Sequence, residues 1–201
     1  HDAHGAYWEP VGHWRRPYAY KQDGERTHDA VMREVKNTRD QMGLLDASTL
    51  GKLIVKGPYA GKFLDMMYTN MMSNLKPGKC RYGLMCSENG FLIDDGVVAR
   101  LGEDTWLCHT TTGGAERIHG HMEEWLQTEW WDWQVYVANV TEQYAQVAVV
   151  GPNSRKCLEK LGGMDVSKDA LGFMEWADGE LGGFKVRIYR ISFSGELSYE
   201  I

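Results

Sequence analysis

The chain has 201 residues, of which 43% are hydrophobic and 25% charged, and its formal net charge is −6. That length can bury a core as one large domain or two small ones, and the acidic balance argues against nucleic acid as a partner, since phosphate binding needs a basic surface. No apolar run approaches membrane-spanning length and no signal peptide is visible, so a membrane partner is not expected. Four cysteines, at 80, 86, 108 and 157, lack the close pairs that bind zinc and read as free thiols of a reducing cytoplasm.

Residues 1–24 are rich in aromatics and proline without a clear period and are expected to pack as an extended arm. A helix is predicted over 27–42, with Val31, Val35 and Met42 on its inner face and Gly43 as its stop. A short strand follows at 53–55. Pro58 suits a first helical position, and Ala60, Phe63, Leu64, Met67, Tyr68 and Met71 form a helical stripe. Two strands then flank Glu88-Asn89-Gly90, where Asn-Gly can supply the positive-φ pair of a tight hairpin. The second strand starts at Phe91-Leu92-Ile93 and runs into Asp94 and Asp95, which alternation sends to opposite faces. A carboxylate on the apolar face is costly unless it meets a cation or a donor-rich ligand.

A strand at 105–109 leads to a helix that Thr112 could cap, burying Ala115, Ile118, Met122, Trp125 and Leu126. Another strand falls at 134–138. The order within 51–138 predicts a compact α+β unit with helices on one face of an antiparallel sheet. Beyond it come a strand at 145–150, a helix capped by Asn153, and strands at 184–191 and 197–201. In the last, Leu197, Tyr199 and Ile201 alternate with Ser198 and Glu200 as an unfinished, fraying strand. The chain is therefore expected to be a truncated piece of a longer subunit.

Each candidate for chemistry has a plain structural alternative. Asp94 and Asp95 could both cap a bulge at Gly96, a common role for Asp beside Gly; on the residues alone, that reading and a functional one weigh equally. Tyr82 in a strand reads first as half-buried packing. Glu200 on a polar strand face reads as a solvated edge charge. His119 and His121 are two apart on a helix and cannot chelate together, and His109 adds no ligand pattern, so no metal site is expected. Trp130, Trp131 and Trp133 either close a small core or mark an interface, the second being slightly preferred. Asn139-Val140-Thr141 fits a glycosylation pattern that means little without a secretory signal. No Gly-x-Gly-x-x-Gly or phosphate loop occurs, so flavin or NAD binding by this segment is not expected.

Several motifs occur in order: Gly43-Leu-Leu-Asp-Ala-Ser-Thr-Leu-Gly-Lys52, Val55-Lys-Gly-Pro-Tyr-Ala60, Tyr82-Gly-Leu-Met85, Ile93-Asp-Asp-Gly-Val-Val98, Val149-Val-Gly-Pro152 and Ser192-Phe-Ser-Gly-Glu196. Together they resemble the folate-binding aminomethyltransferase family, typified by the T protein of the glycine cleavage system. Trp14-Arg-Arg-Pro17 and Thr110-Thr-Thr-Gly-Gly-Ala115 are most similar to one branch, the C-terminal half of the alpha subunit of heterotetrameric sarcosine oxidase. Rivals within the family are the T protein and the dimethylglycine or sarcosine dehydrogenases; a rival of another class is a non-catalytic folate-binding or assembly module.

The resemblance implies an α+β folate-binding aminomethyltransferase-like fold, with antiparallel sheets and packed helices, cut off before the C-terminal barrel domain. It implies a discontinuous folate-binding domain from 1–50 and 139–201, with 51–138 inserted as an α+β domain. Asp95 matches the family carboxylate near the reactive nitrogens of folate and is the implied catalytic residue. Tyr82, Leu50, Phe193 and Glu200 match positions that line the folate site, Glu200 being placed to accept the pterin's adjacent donors. The implied reaction captures the one-carbon unit of oxidised sarcosine on tetrahydrofolate, giving 5,10-methylenetetrahydrofolate and glycine. FAD, FMN and NAD are implied for the intact parent rather than for this region. Implied partners are folate, the imine derived from sarcosine and the other sarcosine oxidase subunits.

Overall fold

A computed structural model describes residues 1–201. The chain divides into two compact units, His1–Ser48 with Ala145–Ile201, and Thr49–Tyr144. The elements in chain order begin with β1 (Ala6–Val11), β2 (Trp14–Tyr20), α1 (Thr27–Asp40) and β3 (Gly43–Asp46). The second unit holds β4 (Gly51–Lys56), α2 (Ala60–Met67), β5 (Cys80–Cys86), β6 (Leu92–Gly102), β7 (Thr105–Thr110), α3 (Ala115–Thr128) and β8 (Tyr136–Asn139). The chain then returns to the first unit with β9 (Val147–Val150), α4 (Ser154–Leu161), β10 (Trp176–Leu181), β11 (Phe184–Tyr189) and β12 (Ser198–Glu200). This is the expected α+β fold.

In the discontinuous unit, an antiparallel sheet runs in the order β10-β11-β12-β9-β3. Its core gathers Val149, Leu158, Val166, Leu171, Leu181, Ile188 and Tyr199. The 3.6-residue period of α4 delivers Leu158 to that core. Asn153 sits at the N-cap position as expected, yet its side chain donates to Gln41 Oε1 at 2.9 Å instead of capping the helix. β12 lies between β11 and β9, and Ile201 and Val147 exchange both backbone hydrogen bonds at 2.8 and 2.9 Å. The last strand is thus held from both sides, which corrects the expectation of a fraying end. Ser198 is buried as well, so its side of the strand is not a solvated polar face.

Three further expectations for this unit fail for identifiable reasons. The N-terminal arm is an antiparallel hairpin of β1 and β2, bulged between Tyr7 and Trp8. Its aromatics meet across strands, Tyr7 edge-on to Tyr18, so cross-strand pairing replaces a one-sided apolar period. α1 ends at Asp40 and buries Ala30, while Val35 is half exposed. Its inward contacts are polar: Arg33 donates to Tyr20 O and Glu25, and Glu34 accepts the Tyr20 amide. Gly43 opens β3 rather than stopping the helix. A Cβ there would lie 2.4 Å from Thr38 Oγ1, so glycine serves close approach. β3 and β10 were not anticipated. Leu44 and Leu45 are both exposed, which leaves β3 without alternation to read.

The Thr49–Tyr144 unit carries the antiparallel sheet β5-β6-β7-β4-β8. Leu53, Val55, Met85, Val98, Trp106 and Cys108 supply its share of a core completed by Phe63, Leu64, Ile118 and Met122 from the two helices. The predicted α3 face is buried at Ala115, Ile118, Met122 and Leu126, with Trp125 packed at its margin. α2 starts at Ala60, after Pro58, and stops at Met67. The Asp65 carboxylate accepts the amides of Met72 and Ser73 at 2.5 and 2.8 Å, which turns the chain. Met71 is therefore exposed and Met72 fills the core.

The hairpin connection differs from a two-residue turn. Only Gly90 has positive φ, at 80°; Gly90 N–H donates to Ser87 O and Ser87 N–H to Phe91 O. Phe91 thereby leaves the strand and is exposed. Thr112 does not cap α3; its hydroxyl is hydrogen-bonded to Thr49 Oγ1 at 3.1 Å, and Gly114 takes the N-cap position. Trp130 stacks between Trp125 and Trp133, at 5.4 and 5.1 Å, and meets Phe63 edge-on. Two indoles of the tryptophan cluster thus serve the core, while Trp131 is exposed. Asn139 is tied up by Thr141 and Glu116, so its amide has a structural role.

Candidate functional site

The β5–β6 hairpin sorts its side chains by register. Met85 lies opposite Asp94, and both are buried; Leu84 lies opposite Asp95, and both reach the outer face. Tyr82, half exposed on that same face, donates its hydroxyl hydrogen to Asp95 Oδ2 at 2.6 Å. The bond to the Asp95 carboxylate, with a little burial, raises the Tyr82 phenol above its usual range. A partly exposed carboxylate with a bound phenol beside it can accept a proton, steady a cation or orient a nitrogen donor.

Asp94 does different work. Its Oδ1 accepts the amides of Asp95 and Thr111, at 2.7 and 3.1 Å, and its Oδ2 accepts the Thr111 hydroxyl at 3.2 Å. The negative charge lies next to the start of α3, where helix dipoles favour it. A Cβ on Gly114 would fall 1.6 Å from Asp94 Oδ2, so that glycine leaves room for the carboxylate. Neither aspartate caps a bulge at Gly96, which pairs in register with Gly83; the irregularity falls between Met85 and Cys86. Gly96 is required because a Cβ would lie 2.0 Å from the His109 carbonyl.

Beneath the hairpin, a gap among Tyr68, Met85, Asp94, Asp95, His109 and Thr110 is too small for a water. Burial and the Cys108 thiol beside it push the Tyr68 phenol well up, and burial pushes the Cys108 thiol up to about 12. His109 is buried with Nδ1 3.0 Å from Val97 O. Burial, countered in part by that bond and aided by Lys52, lowers it to about 4. It is thus a neutral core histidine. No group of three or more His, Cys, Asp or Glu side chains is arranged to hold a metal ion, and all four cysteines are free.

Leu50 precedes β4, partly exposed, and its carbonyl accepts Lys52 Nζ at 2.7 Å. In the discontinuous unit, Glu200 is partly buried on the central strand β12 and accepts Gln146 Nε2 at 2.5 Å. Gln146 is itself fixed, its backbone exchanging hydrogen bonds with Ala47 and Ser48. Glu200 is therefore an oriented carboxylate rather than a solvated edge charge. Phe193 is fully exposed, on a loop closed by the Ser192 hydroxyl, which donates to Glu196 O at 2.7 Å. Of the implied site residues Leu50, Tyr82, Asp95, Phe193 and Glu200, Tyr82 and Asp95 are joined by a hydrogen bond. Sequence reasoning missed Gln146 and Arg117, whose side chains act on neighbours distant in the chain; no local pattern marks either one. A separate cleft of about 190 Å³ is lined by Glu88, His121, Glu124, Trp125, Thr128 and Glu129.

Two antiparallel sheets with packed helices, and a hairpin presenting Tyr82 and Asp95, define a class of α+β protein with a polar site on a strand face. The family described as the GCVT N-terminal domain matches residues 1–201, and the chain belongs to that family. It is 55% identical over 203 residues to the sarcosine oxidase subunit alpha of Corynebacterium sp. (strain U-96), covering 100% of this chain and 21% of that protein. The aminomethyltransferase of Halothermothrix orenii is 34% identical over 188 residues, covering 94% of this chain and 48% of the relative. The crystal structure of the glycine cleavage system aminomethyltransferase T from Bartonella henselae superposes with a TM-score of 0.82 at 24% identity, over 100% of this chain and 50% of that one. The chain thus spans about a fifth of the length of the sarcosine oxidase subunits it matches.

Proposed function

We propose that this chain is the tetrahydrofolate-binding part of a sarcosine oxidase alpha subunit, and that Asp95 serves the transfer of the one-carbon unit of oxidised sarcosine to tetrahydrofolate, with release of glycine. The observation that carries the reading is the Asp95 carboxylate on the outer face of the hairpin, 2.6 Å from the Tyr82 hydroxyl. Identity of 55% to a sarcosine oxidase subunit alpha favours that branch over the aminomethyltransferase branch, at 34%. Flavins and NAD belong to the whole protein in this reading, as do the partner subunits; a cytoplasmic setting goes with them.

The residues present fit a folate. Tetrahydrofolate supplies the nucleophilic nitrogens, and an oriented carboxylate such as Asp95 can hold the reacting nitrogen and accept its proton. Tyr82 offers an aromatic face and a hydroxyl that holds the carboxylate in place. Leu84 supplies apolar surface beside it. In the other unit, Glu200 is assigned to the pterin's adjacent N–H donors, which a carboxylate matches with two acceptors. Leu50 and Phe193 are each assigned an apolar contact with folate.

The test uses the whole protein. Asp95→Ala should lower folate-dependent product formation about 10²–10⁴-fold, the range for one positioned acid–base or electrostatic group, while sarcosine oxidation without folate is spared. Equal loss of both activities would assign Asp95 to structure instead.

A further inference from the structure

The peptide groups on either side of Asp94 are both held by side chains. Asp94 Oδ1 accepts the Asp95 amide at 2.7 Å, and the Arg117 guanidinium, projecting from α3, donates to the Ile93 carbonyl. Arg117 also lies 4.0 Å from Asp94 Oδ2, which makes the two holders a charged pair. The Asp94 carboxylate is further fixed by the Thr111 amide and hydroxyl on the β7–α3 loop. The strand carrying Asp95 is therefore fastened to the start of α3 at two consecutive peptides. A regular antiparallel ladder would fasten such a strand only to its neighbouring strands.

This fastening sits where the ladder is weakest. The β5–β6 register slips between Met85 and Cys86, so Ile93 has no partner in the run Asp94↔Met85, Cys86↔Leu92. Ile93 stands outside the paired register, and Arg117 donates to its carbonyl. Without that bond the strand could rotate about the bulge, and Asp95 would swing relative to Tyr82 on β5. Extra twist and bending at a bulge are the expected distortions.

We propose that Arg117 and Asp94 are positioning residues for Asp95: together they hold the bulged end of β6 in the one orientation that keeps the Asp95 carboxylate on the Tyr82 hydroxyl. The role of the positioned carboxylate rests on the function proposed above; the positioning itself does not. Neither residue touches the reacting atoms. Arg117 is 60% exposed at its side chain and Asp94 is 2% exposed, so the two differ in how much of the fold depends on them.

Tyr82 is a built-in reporter of this geometry. Its hydroxyl resists ionisation mainly because it is bonded to Asp95. The titration of the Tyr82 phenol, followed by the ¹³Cζ resonance of labelled tyrosine and assigned with Tyr82→Phe, reads whether that bond is kept. Arg117→Ala removes a cation, and removing a cation by itself makes a phenol harder to ionise. Loss of positioning acts in the opposite direction. The expected result is that Arg117→Ala lowers the Tyr82 midpoint toward that of a free tyrosine, about 10, with the melting temperature nearly unchanged because the side chain is exposed. Amide hydrogen exchange at Asp95 should speed up at least tenfold in the same variant, and more in Asp94→Ala than in Asp94→Asn, which keeps an acceptor.

An unchanged or raised Tyr82 midpoint in folded Arg117→Ala overturns the proposal, as does a fall in melting temperature without any change at Tyr82. Asp95→Asn separates the two inferences. If that variant shifts the Tyr82 midpoint but leaves folate-dependent turnover intact, the positioning stands and the function assigned to Asp95 falls. If Arg117→Ala leaves Tyr82 untouched while Asp95→Ala abolishes folate-dependent turnover, the function stands and the positioning falls.

Discussion

The two five-stranded sheets hold their principal carboxylates in opposite ways. In the Thr49–Tyr144 unit, Asp94 and Asp95 are consecutive yet belong to different environments, one buried and accepting three hydrogen bonds and one on the outer face with a single phenol. In the discontinuous unit, Glu200 stands on a central strand and accepts a hydrogen bond from the buried Gln146 amide. The hairpin separates a structural charge from an available one by strand alternation alone. The central strand of the other sheet cannot do so, and needs a side chain brought from β9's entrance to orient its carboxylate. A carboxylate that meets a single phenol on an outer face retains lone pairs, and Asp95 has that property.

The largest expected effect sharpens the contrast between the two cores. Phe63→Ala empties a fully buried site against Trp130 in the Thr49–Tyr144 unit and should cost about 3–5 kcal/mol. Leu158→Ala in the other unit should cost about 2–5 kcal/mol by the same mechanism. Denaturant unfolding followed by unit-specific probes reads both. Coincident transitions in each variant would mean that the difference between the units is chemical only, and that they unfold together.

Next in size is the pH dependence set by His109. Its folded value is lowered from 6.5 to about 4, chiefly by burial, so the unfolded chain binds the proton more readily between those limits. Stability is therefore complete above about pH 6.5 and falls as pH drops toward 4, by about 3 kcal/mol in total. His109→Gln, whose amide can still donate to the Val97 carbonyl, should flatten that slope. A wild-type slope that survives the substitution would place the acid sensitivity elsewhere. No comparable buried histidine lies in the discontinuous unit, since its histidines at 1, 4, 13 and 28 are exposed or near so.

The smallest effect tests how tightly Asp94 is seated. Gly114→Ala places a methyl group where the Asp94 carboxylate lies, so the carboxylate must shift, at about 1–3 kcal/mol. Gly113→Ala, with nothing near its Cβ position, is the control and should be close to neutral in stability. Similar costs at both positions, read from thermal melts, would mean that the start of α3 yields easily and does not grip Asp94.

The sequence by itself determined the elements whose signal is local. The α3 stripe and the assignment of Asp94 and Asp95 to opposite faces follow from periods of 3.6 and 2, which chain geometry imposes wherever the segment folds. Family motifs pointed to Tyr82 and Asp95, and the hairpin register brings those two into contact. Only tertiary structure decided the rest. The end of α2 depends on Asp65 reaching Met72 and Ser73, and the burial of Met72 in place of Met71 follows from that turn. The fixed strand at Glu200 depends on neighbours from both ends of the discontinuous unit, and the division of the tryptophans depends on stacking with Phe63 and Trp125. The Arg117 bond to Ile93 joins residues from two elements across a bulge. A side chain's partner is a matter of distance in space, and a pattern along the chain reports only the face a residue shares with its near neighbours.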